Sequence, residues 1–177
     1  MLGATKSPQE SIEKAIELAQ QAAAQDDSHG TVHAWLGWCY TLKGEYDKAL
    51  AEGERAMALD PSSAEVHAIY AIILTRAGRP NEAISMLEKA IRLNPFCPVH
   101  YYTSLGNAFR DVGRFEEAVL VFKKSLPLGP DRIWTHYGLA VTYTLAGRPE
   151  EAIPFYQKAI QLNPSGLFYF YRQPLIM

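Results

Sequence analysis

His33, His67 and His136 fall in one column of this sequence, with Tyr102 in the fourth place, at steps of 34, 35 and 34 residues. Imidazoles are the side chains that hold zinc or move protons near neutral pH. A shared zinc needs every ligand within about 2 Å of the metal. Equivalent positions on neighbouring helices stand at least about 8–10 Å apart. The column therefore reads as half-buried, polar-tipped packing residues, not as a metal ladder. Cys39 and Cys97 are the two cysteines. They read as free thiols of a reducing compartment, and they are too few for a metal site. No residue stands out as a nucleophile on a strained turn, no glycine-rich phosphate loop appears, and strand signals are absent. No catalysis, cofactor or metal is expected.

The elements that carry that column repeat as a whole. Pro61, Pro95, Pro130 and Pro164 step by 34, 35 and 34 residues, and so do Gly44, Gly78, Gly113 and Gly147. Between each glycine and proline lie an early alanine (Ala49, Ala83, Ala118, Ala152) and a later small residue (Ala56, Ala90, Ser125, Ala159). A period of this size marks a solenoid of stacked units. Apolar residues at helical offsets make each unit a pair of amphipathic helices. Small residues at Gly37, Ala71, Gly106 and Ala140 let the two helices of a unit approach. Bulky ones at Tyr40, Leu74, Phe109 and Tyr143, with Leu87, Phe122 and Tyr156 on the second helices, fill the space between units. The mid-unit glycines suit left-handed helix C-caps, and Pro80 and Pro149 suit the first turn of the next helix.

Two segments, Ala34-Trp35-Leu36-Gly37-Trp38-Cys39-Tyr40 and Thr103-Ser104-Leu105-Gly106-Asn107-Ala108-Phe109, place a Leu-Gly pair before an aromatic residue. Each unit closes on Asn-Pro, Asp-Pro or Gly-Pro. This pattern resembles the tetratricopeptide repeat, a helix-turn-helix of about 34 residues. The resemblance covers four repeats, 30–63, 64–98, 99–132 and 133–166. It implies an all-α, right-handed superhelical solenoid of antiparallel helix pairs. Residues 1–29 form a lead-in with the orphan second helix of a truncated repeat. Ser7 and Glu10 read as its capping box, Pro8 as its first residue, and its span as residues 8–25. Residues 167–177 form an apolar, aromatic tail, too short to span a membrane as a helix. That tail is expected to order against the last repeat or a second chain, giving a homodimer through the terminal repeats and tail.

Four departures carry expectations. Gly53 stands where Leu87, Phe122 and Tyr156 stand elsewhere, so the first repeat should pack loosely there. Pro154 should kink its helix or displace its start, and Pro127 should distort the end of the third repeat's second helix. The extra residue in Asn94-Pro95-Phe96-Cys97-Pro98 lengthens one turn.

The chain has 17 basic and 19 acidic side chains, a net charge of −2, which does not favour nucleic acid. No long apolar stretch follows Met1–Lys6, so no signal peptide and no membrane partner are read, and the expected location is cytoplasmic. The resemblance implies that the first helix of each unit lines a concave groove. The candidate peptide-binding residues there are Trp38, Ile72, Arg76, His100, Asn107, Arg110, Trp134 and Tyr137. Trp38, Ile72, Trp134 and Tyr137 would be apolar anchors, and Asn107, Arg76 and Arg110 would meet anions or carbonyls. The family's clamp for a terminal carboxylate is not assembled: Asn107 matches, but Thr103, Trp134 and Gly138 replace its partners. The asparagine ladder of sugar-transferase arrays is also missing, with Trp35, Ile69, Ser104 and Gly138 in its places. The expected function is a protein–protein interaction scaffold binding a partner's peptide or helix. The alternatives are a regulatory fragment of a larger signalling enzyme, or a self-assembling array.

Overall fold

The computed structural model describes residues 7–164. The tail, and with it the expected docking or dimerisation through it, lies outside the described residues. Among them are nine α-helices and no strand: α1 (Pro8–Gln25), α2 (Gly30–Lys43), α3 (Tyr46–Leu59), α4 (Ala64–Arg76), α5 (Pro80–Leu93), α6 (Val99–Asp111), α7 (Phe115–Ser125), α8 (Ile133–Leu145) and α9 (Pro149–Leu162). No described helix is long and apolar enough to cross a membrane.

Local chemistry sets the ends. Ser7 and Glu10 form the reciprocal capping box, and α1 spans the expected residues. Gly44, Gly78, Gly113 and Gly147 have φ between 74° and 79°, the left-handed turn that glycine adopts without strain. Pro80 and Pro149 open α5 and α9, where a missing N–H costs nothing. Pro154 lies inside α9, whose start is not displaced. Pro127 has its effect: α7 stops at Ser125 after 11 residues, against 14 in α3, α5 and α9.

The helices form two compact units that divide between Cys97 and Pro98. In the first unit α2 pairs with α3 and α4 with α5, while α4 packs on both α2 and α3. Helix α1 packs on α2 as α3 packs on α4. In the second unit α6 pairs with α7, α8 with α9, and α8 also packs on α6 and α7. The small-residue columns lie at the centre: Ala49, Ala56, Ala71, Ala83, Ala90, Ala118 and Ala140 are fully buried. A Cβ at Gly37 would stand 2.9 Å from the Ala49 carbonyl oxygen, so α2 and α3 touch backbone to backbone there. Tyr40, Leu74, Phe109 and Tyr143 are buried as expected.

Gly53 corrects an expectation. Its position is not loosely packed. The Tyr70 ring of α4 occupies the space, with Cδ2 2.3 Å from where a Gly53 Cβ would lie. A large residue on the first helix of the next repeat has taken the room that a large residue on the second helix fills elsewhere.

A recurrent charge motif opens the second helices. Arg79, Arg114 and Arg148 are the N-caps of α5, α7 and α9, and each binds a glutamate three residues on. Arg79 donates from both Nε and a terminal nitrogen to Glu82, each at 2.6 Å. Arg148 does the same to Glu151 at 2.5 and 2.8 Å and also reaches Glu116 at 2.7 Å. Arg114 grips Glu117 likewise. In α3 the signs are exchanged, Glu45 capping and Lys48 answering at 2.6 Å. The hydrogen-bonded guanidinium holds the Glu82, Glu117 and Glu151 carboxyls below the usual carboxylate range. A carboxyl lowered in the folded chain stabilises it above the ordinary glutamate value of 4.5, and the contribution is lost as pH falls through the lower folded value. Thermal melts should therefore show stability falling below about pH 4.5. Replacing Glu82, Glu117 and Glu151 by glutamine should flatten that fall. An unchanged acid slope in the triple variant would contradict the assignment.

Candidate functional site

The second unit contains a pocket of about 260 Å³ between two first helices. Val99, His100, Thr103, Asn107 and Arg110 line it from α6, at the three- and four-residue spacing of one helix face. Trp134, Tyr137 and Gly138 line it from α8, and so does Arg132, the N-cap of α8. Gly138 is buried against Phe122, whose ring fills the space a side chain at Gly138 would need. Five of the eight sequence candidates, His100, Asn107, Arg110, Trp134 and Tyr137, thus share one pocket.

The pocket combines apolar rings with cationic and amide groups. Trp134 is 58 % exposed. Tyr137 is half-buried and meets Tyr156 edge to face at 6.4 Å. Arg110 donates to Asp111 at 3.3 Å, and its charge is partly answered there. Arg132 forms no ion pair among the described residues, and its stem lies against Gly129. Asn107, half-buried, makes no side-chain hydrogen bond among them either. Thr103 spends its hydroxyl on the His100 carbonyl of its own helix, 3.0 Å away. Arg132 was missed by sequence reasoning because it precedes α8 and so falls outside any helix-face register. The available signal was a basic residue in the turn, two positions before Trp134.

Trp38, Ile72 and Arg76 belong to the first unit. Trp38 and Ile72 are half-buried on α2 and α4, and Arg76 is the exposed last residue of α4. Trp35, which the register did not select, is 44 % exposed and joins Trp38 in an edge-to-face pair.

A second cavity, of about 410 Å³, lies in the first unit among Gln20, Asp27, His33, Tyr40, Glu52 and Arg55. The histidine column proves to be buried, not half-buried: His33, His67 and His136 are 2, 0 and 8 % exposed. Their surroundings differ. His33 meets Glu52 at 2.6 Å through Nδ1 and Asp27 at 3.0 Å through Nε2, and Arg55 pairs with the same Asp27. His67 uses Nδ1 on the Ser63 carbonyl, and His136 uses Nε2 on the Pro130 carbonyl. The position of Glu52 is held by Met86 and Phe155 beside the other two, so only His33 has a carboxylate there. No group of three or more histidine, cysteine or acidic residues suited to a metal occurs among the described residues. Cys39 and Cys97 are buried, and burial pushes the Cys39 thiol up, away from the reactive thiolate.

Tetratricopeptide repeat family models match residues 9–73, 42–105, 102–132 and 133–165. No curated protein matches the chain. Among solved structures, a MamA (AMB-1) is 29 % identical, with a TM-score of 0.71 over 87 % of this chain and 90 % of that one. Another MamA (MSR-1) is 28 % identical, with a TM-score of 0.69 over 87 % and 88 %. YrrB, titled a TPR protein with an unusual peptide-binding site, is 22 % identical, with a TM-score of 0.69 over 92 % and 83 %. Repeat period, cap chemistry, helix pairing and family match agree: the chain belongs to the tetratricopeptide repeat family.

Proposed function

We propose that the chain is a protein-interaction scaffold and that the pocket between α6 and α8 anchors a peptide or helix of its partner. The observation that carries this reading is the convergence of His100, Asn107, Arg110, Arg132, Trp134 and Tyr137 on one cavity. Aromatic rings with arginine are the composition of binding hot spots. The unpaired Arg132 and the unspent Asn107 amide supply donors for a carboxylate or a backbone carbonyl. Trp134 and Tyr137 supply apolar area at the mouth. In the first unit Trp38, Ile72 and Arg76 offer the same kind of surface from α2 and α4. A scaffold of this kind needs no catalytic group, and none is assigned.

The test begins with peptides selected on the intact chain from a random display library. Their affinities are then measured for Trp134→Ala and Arg132→Ala. Trp134→Ala should weaken binding at least about tenfold, the scale of a hot-spot truncation. Arg132→Ala should weaken acidic peptides more than neutral ones, and more at low salt. Circular dichroism checks that both variants fold. Selected peptides that bind both variants as well as the parent would overturn the assignment.

A further inference from the structure

In the first unit two indoles meet at right angles beside a carboxylate. Trp35 and Trp38 stand one turn apart on α2, with ring centroids 5.6 Å apart and planes at 82°. Two rings at right angles make two walls, and Trp35 is 44 % exposed while Trp38 is half-buried. Glu65, in the first turn of α4, accepts a hydrogen bond from Trp35 Nε1 at 3.2 Å through Oε1. No lysine or arginine pairs with this exposed carboxylate among the described residues, and no described cation lies over either indole.

The rest of the chain shows what such a set takes. Lys48 lies 5.5 Å over Tyr40 and pairs with Glu45. Arg114 lies 4.5 Å over Phe109 and pairs with Glu117. Arg148 lies 4.8 Å over Tyr143 and pairs with Glu151. Each is a trio of aromatic face, cation and carboxylate. At Trp35, Trp38 and Glu65 the rings and the carboxylate are present, and no lysine or arginine among the described residues joins them. Indole is the strongest of the aromatic faces for a cation.

We propose that this corner receives an arginine side chain of the partner, its guanidinium flat on indole and its N–H groups on Glu65 Oε2. Arginine is favoured over lysine because its planar, weakly hydrated head stacks and hydrogen-bonds together. The inference rests on the scaffold reading above and names the partner's chemistry at a site separate from the α6–α8 pocket.

The experiment titrates the intact chain with the blocked peptide Ac-Gly-Arg-Gly-NH₂ and follows the indole N–H signals of its three tryptophans by NMR. The same titration uses the citrulline peptide, a neutral isostere. Trp134→Phe identifies the third signal. The arginine peptide should move the Trp35 and Trp38 signals and leave Trp134 in place. The citrulline peptide should not move them, and Glu65→Gln should weaken the response at least about threefold, as expected for loss of a partly exposed charge pair. Equal responses to arginine and citrulline, an unchanged Glu65→Gln, or shifts confined to Trp134 would overturn the proposal. Because the α6–α8 pocket is scored by Trp134→Ala and Arg132→Ala, failure of this corner is distinct from failure of that pocket.

Discussion

Phe122→Ala should lower the stability of the second unit by about 3–5 kcal/mol, the largest loss expected from any one truncation in this chain. The ring is fully buried on α7. It lies between two glycines on different helices. A Cβ at Gly106 on α6 would stand 2.8 Å from its edge, and one at Gly138 on α8 would stand 2.5 Å from it. Neither neighbour has a side chain that could swing into the space, so the cavity would stay open. The ring also underlies Gly138, which lines the α6–α8 pocket. Urea denaturation measures the loss, and amide exchange should place it in α6, α7 and α8. A further test uses the sign of a second change. Gly138→Ala should destabilise the parent by overpacking, yet recover part of the loss in the Phe122→Ala background. A Phe122→Ala chain within about 1 kcal/mol of the parent would refute the filling role.

Gly53→Leu should also destabilise, by about 1–3 kcal/mol, although it restores the residue that the second repeat carries as Leu87. A glycine in mid-helix costs about 1 kcal/mol relative to alanine, so propensity alone argues for a gain. Sterics win because a Cβ there would meet Tyr70 Cδ2 at 2.3 Å and Cε2 at 2.6 Å. These are contacts with a ring that is 8 % exposed and cannot move aside into solvent. Burial also pushes the Tyr70 phenol up, consistent with a ring held in the packed interior. Combining Gly53→Leu with Tyr70→Ala should return most of the loss, because the leucine then fills what the ring vacates. A stabilised single variant in thermal melts would show that the ring gives way instead.

The Gly53–Tyr70 exchange was legible in part. Tyr70 occupies the position of Leu36, Leu105 and Leu139 in the other repeats, so a larger residue faces a smaller one. Reading each column alone made Gly53 a void, while reading the two together would have shown volume moved from one helix to the next. The site divides the same way. His100, Asn107 and Arg110 follow from the face of α6, because helical spacing places them on one side whatever the packing. Arg132 does not, because a residue in a turn has no periodic face.

What this sequence determined by itself is therefore local: where helices start, where they stop, and which face each one buries. The capping box at Ser7, the left-handed glycines and the prolines at the starts of α5 and α9 act within four residues of where they stand. Such short-range terms do not depend on the partner helix, so they can be read off the chain. The tertiary structure alone decided which columns meet. It placed Tyr70 over Gly53, the Phe122 ring between two glycines, carboxylates on both sides of His33, and Glu65 beside Trp35. These contacts join residues from different helices, or a helix and a turn. The repeat brings the same positions together in every unit, but the side chain found at each position differs from one unit to the next. Volume and charge are therefore balanced only once the helices are in contact.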